Sequence, residues 1–213
     1  MNTLHSSATR KHVQLAFNSC LLALCAATST AAATVWNESI NGDLSNDRLA
    51  PTAIAVAVGS NDVIGSVVGN PSDLDYFTIN VPTGDELSQL VLESFTSTDQ
   101  RGFIGVQHGT TFTESASAPN VANLLGWTHF GPGAGNVGLD ILPGMGQGPG
   151  AQGFTAPLAA GSYTFWVQQL GALTNYDFNF VVKATPEPAT WGMALVAAGF
   201  CVLGAAHRRM TSS

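Results

Sequence analysis

Apolar and polar residues alternate with a period of two in several parts of this chain, and this pattern limits its fold more than any other feature. In residues 76–81, Phe77, Ile79 and Val81 fall on one face, and Pro82 is expected to end the strand because it has no N–H for a ladder. The same alternation, or a short apolar run bounded by turn-forming residues, occurs at residues 53–58, 63–68, 87–95, 103–108, 163–168 and 176–183. Short strands at this spacing predict an all-β fold, an antiparallel β-sandwich of half-buried strands.

Residues 1–33 have the pattern of an export signal. Arg10 and Lys11 precede a mostly apolar stretch at residues 13–27, and small residues follow at 31–33. An N-terminal membrane anchor is the alternative, but the stretch is shorter than the roughly 20 residues that a spanning helix needs. The sequence therefore predicts a signal peptide over residues 1–33, cleaved near Ala33.

Residues 189–206 contain no charged side chain and are followed closely by Arg208 and Arg209. As a helix they would rise about 27 Å, close to the thickness of the hydrocarbon core of a bilayer. A buried helix of a soluble domain would show a polar face, and this segment shows none. We therefore expect a transmembrane helix at 189–206, with both arginines in the cytoplasm and the preceding chain outside it.

The body between these ends, residues 34–185, is strongly acidic. It holds three basic residues against thirteen of the chain's fourteen acids, a net charge of −10, whereas the whole chain has −7. Nucleic-acid binding rests on Lys and Arg that neutralise phosphates, so no nucleic-acid partner is expected. The body contains no cysteine, and an exported domain of this kind must fold without disulfides.

Four aspartates are the candidate metal ligands. Asp43 and Asp47 lie in one turn-like stretch and Asp73 and Asp75 in another, each with Asn and backbone oxygens nearby. Oxygen ligands of this kind suit Ca²⁺, although the spacing is not that of an EF-hand. The alternative is that these side chains close Asx-turns at strand ends. No cofactor is expected, and Ca²⁺ is the alternative left open.

No recognised catalytic motif occurs in the body. Its histidines, His108 and His129, stand without a partner motif, and a G-x-S-x-G elbow is absent. Residues 133–138 match a dinucleotide-binding pattern in form, but the segment after them cannot make the helix that such a site needs. They belong to a glycine-rich segment, residues 131–153, which is expected to be a surface loop or a flexible binding loop. We expect no enzyme activity.

The tail, residues 186–213, resembles the PEP-CTERM sorting signal of Gram-negative bacteria. Pro186, Glu187 and Pro188 precede the apolar segment and the arginine end in the order of that signal. The resemblance implies recognition by a membrane exosortase, processing near these three residues, and an inner-membrane stage before release to the cell surface or the extracellular matrix. The prolines favour an extended segment just outside the membrane.

The body resembles the bacterial pre-peptidase C-terminal domains, which are small jelly-roll-like β-sandwiches of secreted proteins. The residues that carry this resemblance are 65–67, 73–79, 82–84 and 160–165. It implies a jelly-roll-like sandwich over residues 34–185, and no particular ligand or proteolytic activity.

Together these features suggest an exported, non-enzymatic surface or biofilm-matrix protein that meets the export machinery and an exosortase. One alternative is a carbohydrate-binding module of the exopolysaccharide matrix, with Trp127, Trp166 or the glycine-rich segment as its platform. Another alternative is a secreted hydrolase with an unrecognised site.

Overall fold

The computed structural model describes residues 33–69 and 73–185, and this part of the chain is all-β, as the alternation predicts. Its strands are β1 (Ala33–Asn37), β2 (Thr52–Ala55), β3 (Gly59–Val67), β4 (Asp75–Thr96), β5 (Gly102–His108), β6 (Gly126–Phe130), β7 (Leu158–Gln168) and β8 (Thr174–Ala184). Its helical elements are the one-turn helices α1 (Glu38–Asn41) and α2 (Leu142–Met145) and the 3₁₀ turns Val121–Asn123 and Pro132–Ala134.

The strands form one hydrogen-bonded network in the order β1-β3-β8-β4-β7-β5-β6, with β2 paired to β4. Most neighbours are antiparallel, but β1 runs parallel to β3 and β2 runs parallel to β4. The expectation of antiparallel strands was therefore wrong for these two pairs. A parallel pair needs a crossover connection, and in both cases another strand lies between the partners in sequence.

The longest strand, β4, joins two segments that the sequence pattern separates at Pro82. Its first part pairs with β7 and β2, and its second part, from Asp85 onward, pairs with β8, while Glu86 and Leu87 also pair with β7. The register with β7 shifts between Val81 and Glu86, and Pro82 lies inside this gap. Because no ladder bond is formed there, the missing N–H of Pro82 costs nothing and the strand continues.

The middle strands are buried on both faces rather than half-buried. Residues 75–79 of β4 and 163–167 of β7 are all buried. One face belongs to the main core, which includes Phe77, Ile79, Leu90, Phe165, Phe178 and Phe180. The opposite face carries a second cluster, formed by Leu74, Tyr76, Phe112, Leu124 and Trp166. The chain after β5 supplies Phe112 and Leu124, so it covers a face that the alternation assigns to solvent.

The glycine-rich segment is only partly a surface loop. Ile141, Leu142 and Met145 are buried in the main core. Leu142 and Met145 belong to α2, and Ile141 directly precedes it. Asp140 fixes this segment to the sheet because one of its carboxylate oxygens accepts hydrogen bonds from the N–H of Leu90 at 3.0 Å and of Leu142 at 3.1 Å. The segment therefore contributes to the core.

Candidate functional site

Three acidic side chains from two distant parts of the chain meet at the start of β4. Glu38 opens α1, Asp43 lies in the loop after α1, and Asp75 is the first residue of β4. One carboxylate oxygen of each lies within 4.8 Å of those of the other two. We call these three residues the acidic cluster, and they form the candidate functional site.

The local sequence around α1 brings Glu38 and Asp43 to the same place. The side chain of Asn37 caps the turn by accepting a hydrogen bond from the Ser39 N–H at 3.0 Å. Gly42 has a φ of 92°, and its N–H donates to the Glu38 carbonyl at 3.0 Å. This left-handed conformation favours glycine and ends the helix after one turn, so that Asp43 follows directly beside Glu38.

Glu38 is held in position by three donors. One carboxylate oxygen accepts from the Leu44 N–H at 3.1 Å. The other accepts from the N–H of Ser66 at 2.7 Å and from its hydroxyl at 3.1 Å. Burial raises the pKa of Glu38, and these hydrogen bonds act in the opposite direction. The carboxylate is therefore fixed between the α1 segment and β3.

Asp75 is the buried member of the cluster, with 0% of its surface exposed. The Tyr176 hydroxyl donates to its Oδ2, whereas its Oδ1 has no hydrogen-bond partner. Burial raises the pKa of Asp75 to about 9, and the charge of Glu38 acts in the same direction. Tyr176 reaches Asp75 across Gly65, where an added Cβ would overlap with the tyrosine hydroxyl. The glycine therefore makes room for this hydrogen bond.

The structure unites some of the predicted metal ligands and separates others. Asp43 and Asp75 meet in the cluster, and Asp73 lies close enough for the charge of Asp43 to raise its pKa, after the larger effect of burial. Asp47 points elsewhere, because its carboxylate accepts from the Leu49 N–H at 2.9 Å in an Asx-turn. Sequence reasoning missed Glu38, which belongs to neither of the two acidic stretches.

A solvent-open cavity of about 530 Å³ adjoins the cluster. Its lining includes Glu38 and Asp43 from the α1 segment, Ser66 from β3 and Asn175 from β8. The cavity gives ions and water a route to the carboxylates of Glu38 and Asp43.

The two tryptophans proposed as a glycan platform lie in different environments. Trp166 is 0% exposed and packs in the second cluster against Tyr76, Phe103 and Phe112. It presents no face to solvent, so its proposed role in a platform was wrong. Trp127 is partly exposed, stacks on Phe103 at 5.8 Å and donates from Nε1 to the Pro149 carbonyl at 3.2 Å.

The two histidines of the body lie against rings and backbone. His108 packs on the Tyr163 ring at 5.0 Å. His129 has Nδ1 at 3.3 Å from the Gly102 carbonyl oxygen and contacts the rings of Phe103 and Trp127.

Comparison of the chain with protein-family models, with curated proteins and with solved structures found no match. The resemblances to a PEP-CTERM tail and to a pre-peptidase C-terminal domain therefore remain predictions.

Several predicted features lie outside the described residues. They are residues 1–32 of the signal peptide, the sorting residues Pro186, Glu187 and Pro188, the helix at 189–206, and Arg208 and Arg209. Within residues 33–69 and 73–185, no helix has the length and apolar character needed to cross a membrane.

Proposed function

We propose that this chain is an exported, non-enzymatic surface or extracellular-matrix protein, sorted through its C-terminal tag by an exosortase. The observation that supports this proposal is the way the body ends. β8 ends at Ala184, and both the N–H and the hydroxyl of Thr185 donate to the Gly84 carbonyl at 2.8 Å. These hydrogen bonds hold the last described residue of the body to the chain at Gly84, and the proposed tag begins at the next residue, Pro186.

The proposed architecture of the body is a jelly-roll-like β-sandwich. Its support is the division of β4, whose first part pairs with β7 and whose second part pairs with β8. Because both parts belong to one strand, a single hydrogen-bonded sheet can fold into two layers that enclose the main core.

Replacing Pro186, Glu187 and Pro188 together by alanine tests the sorting step. We expect the wild-type chain to leave the membrane fraction as a shorter product, and the triple variant to accumulate there at full length, because an extended segment for processing is lost. The measurement is a pulse-chase fractionation with an epitope tag inserted in the body. Thr83→Ala is the matched control, because Thr83 is exposed and lies outside the proposed sorting signal. Full-length wild-type protein that stays in the cytoplasm would contradict the proposal.

Trp127 supports a second candidate function, binding of matrix polysaccharide. It is partly exposed and adjoins Phe103 and His129, which line a cavity of about 230 Å³. Aromatic faces beside polar groups are suited to stacking on sugar rings.

We expect Trp127→Ala to weaken retention on the exopolysaccharide of the producing cell about tenfold, as loss of one stacking contact of about 1.4 kcal/mol would do. Trp127→Phe keeps an aromatic ring and is expected to retain most of the binding. The measurement is a glycan pull-down with a circular dichroism check of folding. Equal retention of wild type and Trp127→Ala would remove this candidate.

A further inference from the structure

The acidic cluster differs from an ordinary group of surface acids because one of its members is buried with an unpaired oxygen. Asp75 is 0% exposed, Tyr176 occupies Oδ2, and Oδ1 has no hydrogen-bond partner. Buried polar atoms are nearly always paired in native proteins. A proton on Asp75 neutralises the carboxyl group but supplies no donor to Oδ1. A bound cation would satisfy the oxygen directly.

Glu38 is arranged as a hydrogen-bonded carboxylate next to Asp75. Both of its oxygens accept hydrogen bonds, from the Leu44 N–H and from the N–H and hydroxyl of Ser66. Donors on both oxygens favour the charged form. The negative charge of Glu38 therefore persists beside Asp75, and Asp43 adds another from the exposed side of the cluster.

No basic side chain balances these charges within residues 33–69 and 73–185. Arg48 donates to the carbonyls of Phe112 and Thr113, at 3.1 and 2.8 Å. Arg101 donates from Nε to the Gly133 carbonyl at 2.8 Å, and Lys183 of β8 lies opposite Glu86 of β4. When the carboxylates of the cluster are ionised, their charge is therefore open to neutralisation by a cation from outside the chain.

The spacing of the oxygens suits a calcium-sized ion. Oxygen ligands lie about 2.3–2.6 Å from Ca²⁺, so two of them on one ion are at most about 5 Å apart. The three carboxylates meet this condition, with oxygens within 4.8 Å of one another. Like Asp75, Asp73 has a buried Oδ1 without a hydrogen-bond partner. The adjoining cavity has room for water molecules, which would complete the six to eight oxygen ligands of Ca²⁺.

We propose that Glu38, Asp43 and Asp75 bind a divalent cation of the calcium type. The ion links the segment after β1 to the first residue of β4, and these two parts of the chain are far apart in sequence. This site is independent of the sorting function proposed above, and its test uses a different property of the protein.

The test is a thermal melt of the purified full chain in EDTA, in CaCl₂ and in NaCl of matched ionic strength. A ligand that binds only the folded state raises the melting temperature. At a Ca²⁺ concentration of 100 times Kd we expect a rise of about 5–10 °C for a domain of this size. Calorimetric titration with Ca²⁺ provides the Kd, which is expected to decrease from pH 6 to pH 8 as protons leave the carboxylates.

Asp43→Asn and Asp75→Asn are each expected to weaken Ca²⁺ binding at least about tenfold, because each removes a charged ligand. Asp47→Asn is the matched control, since it removes an exposed charge while its amide oxygen can still close the Asx-turn. Asp43 is exposed, so its variant keeps the test valid if Asp75→Asn does not fold. The proposal is overturned if wild type shows no rise beyond that in NaCl, or if the rise persists unchanged in both cluster variants.

Discussion

Replacement of Trp166 by alanine is expected to destabilise the domain by about 3–5 kcal/mol, the cost of removing a large aromatic side chain from a packed core. Trp166 is 0% exposed and stacks on Tyr76 at 6.1 Å, with the rings of Phe103 and Phe112 at 4.8 and 5.5 Å. Trp166 belongs to β7, which pairs with β4 on one side and β5 on the other, so the surrounding strands are held by their hydrogen bonds and do not move in to fill such a cavity. A loss of this size is a large part of the 5–15 kcal/mol that stabilises a typical domain.

The measurement is urea unfolding, with the change in free energy taken from midpoints at constant slope. Trp127→Ala is the matched control, and we expect it to cost only about 1 kcal/mol because that side chain is partly exposed. Trp166→Phe is expected to lie between wild type and the alanine variant, since it keeps a ring and removes an indole N–H that has no partner. An alanine variant at 166 no less stable than the one at 127 would refute the proposed packing role.

The second large effect is a loss of stability with rising pH when divalent cations are removed. The pKa of Asp75 is raised from 3.8 to about 9 by burial and then by the charge of Glu38. Between these two values the folded chain holds a proton at Asp75 that the unfolded chain has released. The folded state therefore binds more protons, and stability falls through this window by up to roughly 1 kcal/mol per pH unit.

Neighbouring acids act in the same direction. Burial also raises the pKa of Glu38 and Asp73, and that of Asp177 to about 6. We therefore expect urea unfolding in EDTA to show a more stable domain at pH 5 than at pH 8. Asp75→Asn should flatten this dependence, because an amide does not titrate, whereas Asp47→Asn should leave it unchanged. Stability in EDTA that is level or rises from pH 5 to pH 8 would count against the burial of an uncompensated Asp75.

The strands could be predicted from the sequence because their apolar residues alternate with the period of an extended chain. The joining of two of them into β4 could not, since Pro82 normally ends a strand and only the interrupted register with β7 lets the chain continue. The face of Trp166 was also assigned to solvent by alternation. Phe112 and Leu124, which cover it, come from a stretch with no periodic pattern.

Only part of the candidate site could be predicted from the sequence, because long-range strand pairing brings its residues together. Asp43 and Asp75 each lie in an acidic turn-like stretch, so their residue types suggested oxygen ligands. Their meeting depends on where β3 and β8 set β1 in relation to β4, which is a long-range property of the sheet. Glu38 belongs to no acidic run, and only its hydrogen bonds to Leu44 and Ser66 reveal that it turns inward.

The central position of β8 determines when this protein can complete its fold. β8 is the last strand in the chain, yet it lies between β3 and β4 and bonds to both. During synthesis, β3 and β4 therefore lack the strand that bonds to both of them until residues 174–184 have emerged from the ribosome. A chain that closes this late, through contacts of high sequence separation, folds slowly and stays extended for longer. That delay suits a protein proposed to pass through an export channel before it folds.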